Sequence, residues 1–322
     1  MNNDLKKVII IISNYNGATN KYKNKPLLYW PLNSLKKTKY KNYKIILADD
    51  CSTDNSIKYV KNNFPYVEIV KNKENGGYSK NNNNAIRYCL RKYKPDYILL
   101  LNNDIIITEK DWLGKLVKVA ESNNNIGLVG CKLVYPNNRI QHAGIKIKTD
   151  LPYNIGRSDK DKGQYNFIKN VEGVTFACVL ILKKVINRIG LLDENFVMGS
   201  EDIDYNIRAK KAGFNILYNG NVKLIHLEGY TSTNSKNKKL EEKQFYNEQR
   251  NRVYFIYKYY KGLQKIKSLL LIILISFISI EGQNRKRSLF SIKLKDKIFK
   301  RFKLSLNAIK DGQKLYTNFR QL

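Results

Sequence analysis

Residues 8–13 read VIIIIS, five β-branched side chains in a row. Such a run offers no polar face. It therefore suits a strand buried on both sides, as in parallel sheets covered by helices. The segments after it keep the same grammar. YKIILAD (43–49), YVEIVKN (66–72) and DYILLLN (96–102) read as further strands. Between them, helices are expected over 26–38, with Pro26 near the start, over 55–63 after the cap residues Ser52, Thr53 and Asp54, and at about 82–93. A β-α-β-α-β-α-β series predicts an α/β sandwich with a mainly parallel central sheet. Right-handed crossovers then gather the loops after the strands on one edge, where open α/β sheets bind ligands. The polar clusters NYN, ADDCSTD, ENGGYSKNN and NND all fall there.

The second half has shorter elements. Strands are expected at 126–135, 174–184 and 222–228, and a helix over 201–213 ending at Gly213. We divide the chain into an α/β domain over 1–232, with halves at 1–105 and 106–232, and a basic helical region over 233–322. With 43% hydrophobic residues the chain can bury a core. Cys51, Cys89, Cys131 and Cys178 form no CxxC pair, which excludes a common zinc pattern and suggests reduced core thiols in the cytoplasm. VIIIIS is too short for the core of a signal peptide.

The formal net charge of +32 calls for a polyanionic neighbour: nucleic acid, an anionic membrane surface or a phosphorylated substrate. Half of the excess lies beyond residue 235, where 22 Lys/Arg face six Asp/Glu. No known nucleic-acid motif accompanies it, so no specific nucleic acid is expected. The run LLLIILISFISI (269–280) is shorter than the roughly 20 residues that span a bilayer. Leu294, Ile298, Phe302, Leu306 and Ile309 then recur at helical spacing among Lys and Arg. Together these suit helices lying on an anionic membrane surface, or else a helical cap on the enzyme.

Four features can carry chemistry. Asp104 ends a buried strand and can hold a divalent cation; the same NND also suits a plain turn, the default for the triplet alone. Asp49 and Asp50 close the second strand, where an acid can bind a base or ribose, or cap a helix. Glu201, Asp202 and Asp204 open a helix; Asp202 can serve as a general base, while acids at a helix start also complement its dipole. His226 follows an apolar strand, as a metal ligand or a structural residue, and His142 is by default structural.

In their order, nine stretches resemble glycosyltransferase family 2, the inverting nucleotide-sugar enzymes of GT-A fold, and most of all its rhamnosyltransferase-like, cell-surface polysaccharide branch. They include VIIIISNYNG (8–17), LADDCSTDNS (47–56), ENGGYSKNNNNAI (74–86), LLLNNDI (99–105), GLLDENFVMGSEDIDYNIRAKKAGF (190–214), LIHLEGYTS (224–232) and YNEQRNRVYF (246–255). The resemblance implies Mg²⁺ or Mn²⁺ held by Asp104 and His226. Asn102 stands where relatives place a first carboxylate. It implies nucleotide contacts from Asn14, Tyr15, Asn16, Asp49, Asn75, Lys80, Asn83 and Asn103, and a region near the donor phosphates that includes Arg250 and Arg252. Asp202 matches the catalytic base, beside Glu201. The implied activity is transfer of a sugar from a UDP- or dTDP-sugar donor to a hydroxyl of a glycan or lipid-linked acceptor, at the inner face of the cell membrane. A sugar nucleotidyltransferase and a nucleic-acid-binding protein are the rival readings.

Overall fold

The computed structural model describes residues 5–148, 151–228, 238–281 and 292–320. In chain order the elements are β1 (Val8–Asn14), β2 (Lys21–Tyr22), β3 (Lys25–Pro26), α1 (Tyr29–Leu35), β4 (Tyr43–Asp49), α2 (Ser56–Asn63), β5 (Glu68–Lys71), α3 (Gly77–Tyr93), β6 (Tyr97–Asn102), β7 (Ile105–Ile107) and α4 (Trp112–Glu121). There follow β8 (Ile126–Val134), β9 (Ile140–His142), β10 (Ile145–Lys146), β11 (Tyr153–Asn154), β12 (Ile168–Asn170), β13 (Cys178–Leu182), α5 (Lys183–Ile189), α6 (Glu201–Lys211), β14 (Asn215–His226), α7 (Lys238–Tyr259), α8 (Gly262–Glu281) and α9 (Ile292–Arg320). They form two compact units. One holds residues 1–194 and 201–236; the other holds 195–200 and 237–322.

The first unit is built on a mixed sheet in the order β12-β14-β8-β13-β6-β1-β4-β5. Pairings β1/β4, β1/β6, β4/β5 and β8/β14 are parallel, while β13 runs antiparallel to both β6 and β8. Val8 to Ile12 and Ile98 to Leu101 have no exposed surface, as the unbroken apolar runs require. Helix α3 covers β1, β4 and β5, and α4 covers β8, β13 and β14. This mixed α/β architecture, followed by C-terminal helices, is the one that the resemblance implies.

The expected and observed boundaries differ in places. Helix α3 begins at Gly77 rather than near 82, because Asp50 holds its first amides and Gly77 takes φ +79°, a value that glycine adopts without a Cβ penalty. Strand β14 starts seven residues before the expected 222, its pairing with β8 interrupted by a register shift after Asn219. Three cysteines are buried core thiols, but Cys51 is half-exposed in the loop after β4, with φ +60°. All four are free thiols.

Strand β8 is packed tightly against the segment that precedes β13. A Cβ on Gly130 would lie 2.6 Å from Cβ and Cγ1 of Val174, atoms with no freedom to swing away. Gly130→Ala should therefore cost roughly 1–3 kcal/mol by overpacking, read as a lower denaturation midpoint at unchanged m-value.

Candidate active site

The chain leaves β6 at Asn102, turns through Asn103 and Asp104, and resumes as β7. Strand β7 pairs antiparallel with the end of β14, placing Ile105 opposite His226. The Leu227 amide donates to the Asp104 carbonyl at 3.0 Å. This ladder brings two residues distant in sequence together: His226 Nε2 lies 3.0 Å from Asp104 Oδ1. Both are buried, and apart from the imidazole that carboxylate oxygen has no hydrogen-bond partner. Burial pulls the His226 pKa down, but the charge of Asp104, its hydrogen bond to the ring and the charge of Glu228 together outweigh it and the net shift is upward. The corner thus favours positive charge. Adjacent ligands around an ion with bonds of ~2.1 Å lie roughly 3 Å apart, so this oxygen and nitrogen fit a divalent cation. Among the described residues no group of three His, Cys, Asp or Glu side chains gathers to hold a metal. Asn102 Nδ2 reaches to 3.4 Å of His226 Nε2.

Beside this corner, the ends of β1 and β4 are braced together. Asn14 Nδ2 donates to Asp49 Oδ2 at 2.8 Å and Asn103 Nδ2 donates to Asn14 Oδ1 at 3.0 Å. The Ser52 amide donates to the other Asp49 oxygen. Asp49 has no exposed surface. It therefore differs from the expectation of an acid presented to a base: it is a brace, because both oxygens turn inward to satisfy buried donors. Asp50 is also committed. It accepts from Gly76 and Gly77 amides at 2.9 and 2.8 Å and from Asn72 Nδ2, so it caps α3 rather than the helix that directly follows it. That helix, α2, is held by Asp54, which accepts from the Ser56 amide. Tyr15, 52% exposed, is the free aromatic ring at this edge. Asn16, at φ +52°, accepts from the Thr53 and Asp54 amides.

At the start of α3, Asn75 is exposed and donates to the Asp50 carbonyl, and Lys80 pairs with Glu74 at 2.6 Å. Asn83 departs from its expected nucleotide contact. It is buried, accepts from the Leu192 amide and donates to the Leu192 carbonyl and Glu194, tying α3 to the segment before the acidic helix.

The acids of α6 have separate fates. Asp204 is fully buried in an ion pair with Arg208 Nε at 2.7 Å, while Arg208 also donates to the Ile189 and Leu191 carbonyls. Glu201 is buried in the first turn. Burial raises the Asp202 pKa to about 6, against hydrogen bonds from the Ile203 amide, Thr175 and the Phe176 amide that lower it. Such a carboxylate accepts a proton near neutral pH. Asn206, which the sequence reading missed, donates to the Val174 and Asp202 carbonyls and accepts from the Val174 amide. Its signal was an amide inside an amphipathic helix.

Residues 175–177 join the two halves of the site. The Ala177 carbonyl accepts from the Asn102 amide at 2.9 Å, and the Phe176 carbonyl from Tyr78 Oη at 2.8 Å. Burial, then the charges of Glu201 and Asp202, push the Tyr78 pKa well up. Thr175 N–H meets His142 Nε2, whose other nitrogen bonds Asn154; burial pushes the His142 pKa down to about 4, and the ring is a structural, neutral one.

Arg250 and Arg252 belong to the second unit. Arg250 donates to the Asn195 carbonyl and to Asn251, and Arg252 pairs with Glu248. Arg250 is thus engaged in holding the 195–200 loop, which Asn251 also binds at the Met198 and Gly199 carbonyls.

The family model for glycosyl transferase family 2 matches residues 9–190, and the chain belongs to that family. It is 29% identical over 150 residues to an O-antigen biosynthesis protein of Myxococcus xanthus, covering 44% of this chain and 12% of that one. It is 27% identical over 150 residues to a low-salt glycan biosynthesis hexosyltransferase of Haloferax volcanii, covering 47% and 48%. The chain thus spans less than half the length of these curated relatives. Among solved structures it resembles a mannosyltransferase of Pyrobaculum calidifontis in complex with GDP-Man and Mn²⁺, at TM-score 0.57, 13% identity and coverage of 96% and 88%. It also resembles GalNAc-T7 with UDP, GalNAc and Mn²⁺, at TM-score 0.59, 15% identity and coverage of 96% and 57%.

The raised pKa makes Asp202 a liability for the fold. An acid whose folded pKa lies near 6 instead of 3.8 favours folding below pH 4 and loses that contribution as pH rises through 6. Asp202→Asn, which cannot ionise, should exceed the wild type above pH 6 by up to about 3 kcal/mol, with the two converging below pH 4. Urea unfolding at both pH values checks this.

Proposed function

We propose that the chain is a metal-dependent inverting glycosyltransferase. It moves a sugar from a UDP- or dTDP-sugar to a hydroxyl of a glycan or lipid-linked acceptor, in synthesis of cell-surface polysaccharide or glycoprotein glycans. One observation carries the reading: an Asp–His corner with an unmet carboxylate oxygen shares residues 175–177 with a carboxyl group whose pKa is about 6. The relatives named for glycan synthesis and the neighbours bound to nucleotide sugars and Mn²⁺ support it.

Asp202 removes the proton of the acceptor hydroxyl as its oxygen attacks the anomeric carbon from the face opposite the diphosphate. Configuration at that carbon inverts in one displacement, so one protein carboxylate suffices. Asp104 and His226 would hold the divalent cation, which offsets the charge on the departing diphosphate. With two protein ligands in the corner, the donor's phosphates would supply further oxygen ligands to such an ion. Tyr15 offers its exposed ring to the base, and Asn75, Lys80 and Asn103 line the phosphate side. Asp49 supports this edge from within.

Asp202→Asn should lower donor turnover at least a thousandfold while nucleotide binding survives. In the wild type kcat/KM should fall as pH drops through about 6, where the base takes up its proton. Asp104→Ala should abolish the Mn²⁺ dependence of donor binding. Full activity of the Asn variant, measured by release of the nucleoside diphosphate, would sink the base assignment. Salt-dependent DNA binding without turnover would favour the nucleic-acid reading.

We also propose that the second unit rests on an anionic membrane surface at the cytoplasmic face. Among the described residues no helix is long and apolar enough to cross a membrane. Helix α8 instead exposes Leu263, Ile266, Leu270 and Leu274, spaced to share one face, with Lys261 and Lys267 also exposed. Ser268 and Ile272 on the opposite face are buried. In α9 the buried side is small, at Ser305, Ala308 and Gly312, whereas Leu306 is 46% exposed. Leu294, Ile298 and Phe302 fall where side chains lie outside the description. Replacing Leu270 and Leu274 by Glu should reduce co-sedimentation with phosphatidylglycerol vesicles at least tenfold. Equal binding of both proteins would refute the docking face.

A further inference from the structure

We infer that Gln141 and Glu228 fix the tautomer of His226, so that its Nε2 presents a lone pair to the corner shared with Asp104. This rests on, and deepens, the metal reading above. An ionised Glu228 can only accept hydrogen bonds. Its oxygens take Tyr135 Oη at 3.1 Å, Arg157 Nη2 at 3.4 Å and Gln141 Nε2 at 2.5 Å. The amide nitrogen of Gln141 must therefore face Glu228. Its Oε1 is then the atom directed at His226, 2.6 Å from Nδ1. An oxygen acceptor at that distance requires Nδ1 to carry the proton. In the neutral ring Nε2 keeps its lone pair, 3.0 Å from an Asp104 oxygen and with Asn102 Nδ2 at 3.4 Å. Two acceptors at hydrogen-bonding distance repel unless a proton or a metal cation stands between them. The side chains further along the chain thus commit the ring to receive one.

The backbone explains why Gln141 is available. Strand β9 pairs with β8 through Leu133–His142 and Val134–Ile140, so the register slips by one residue and Gln141 has no partner in the ladder. Such a bulge re-aims a side chain. Strand β8 lies beside β14, with Val134 opposite Ile225. The freed glutamine is therefore carried to the residue that follows, His226. It is buried, with 4% exposure, which keeps water from replacing it. Gln141 and Glu228 are positioning residues: they act on the cation only through the imidazole.

The test uses the two histidines, His142 and His226, which give a simple nitrogen spectrum. In metal-free, ¹⁵N-histidine-labelled protein at a pH where the ring is neutral, His226, assigned with His226→Asn, should show a protonated Nδ1 and a bare Nε2. Gln141→Leu should reverse the pattern, since Nε2–H then donates to Asp104. Glu228→Ala should populate both tautomers. Gln141→Glu should restore the wild-type pattern, because its carboxylate accepts from Nδ1–H. Mn²⁺ titration followed by electron paramagnetic resonance should show at least tenfold weaker binding for Gln141→Leu and binding near wild type for Gln141→Glu. A protonated Nε2 in the wild type, or an unchanged tautomer in Gln141→Leu, would overturn the assignment. If the wild type binds no Mn²⁺, the metal reading fails, while the ring spectrum still decides the tautomer.

Discussion

The three-residue pairing of β7 with the end of β14 is the constraint on which the site depends. Strand β6 lies in mid-sheet, separated from β14 by β13 and β8. By leaving β6 at Asn102 and joining β14, the chain folds the sheet edge back on itself. Main-chain hydrogen bonds, not side-chain attraction, bring Asp104 to His226. This matters energetically, because a carboxylate and an imidazole with low exposure would otherwise meet at a large desolvation cost. The ladder supplies the proximity, and the corner keeps its appetite for a cation.

The same edge is stiffened by amides. Asn14 and Asn103 link β1, β4 and the turn after β6, and Asn72, Asn81 and Asn84 form a buried chain that reaches Asp50 and the Ala48 carbonyl. A sequence rich in Asn can be dismissed as biased composition. Here, Asn81, Asn82 and Asn83 of the NNNN run are buried and bonded to Ala48 of β4, Ser13 of β1 and Leu192. Neutral donors and acceptors satisfy the loop backbones without adding charge to the edge.

Much of the fold was legible because buried parallel strands leave unbroken apolar runs, as at 8–12 and 98–101. The polar clusters marked the edge for the same reason: nothing else in a strand end tolerates them. What sequence could not resolve was the division of labour between neighbours. Asp49 and Asp50 are adjacent, yet one braces β1 and the other caps α3, because strand ends point successive side chains to opposite faces. The role of Asn83 depends on a loop more than a hundred residues away. Gln141 was invisible too, since a bulge is a property of two strands together.

The carboxylates sort themselves by satisfaction. Asp49, Asp50, Asp54 and Asp204 accept from amides, hydroxyls or an arginine. At Asp54 burial raises the pKa, but hydrogen bonds from Ser56 and Thr19 outweigh it and the net shift is downward. The bonds that these acids accept hold the fold together. Asp104 and Asp202 are at odds with their surroundings, one with an unmet oxygen beside a histidine, the other with its pKa driven up by burial. Folding gains nothing from either condition. Strain of this kind persists where a ligand or a proton relieves it in the working state. Asp104, with its unmet oxygen, and Asp202, with its raised pKa, are the acids to which the proposed displacement gives the leaving group and the nucleophile.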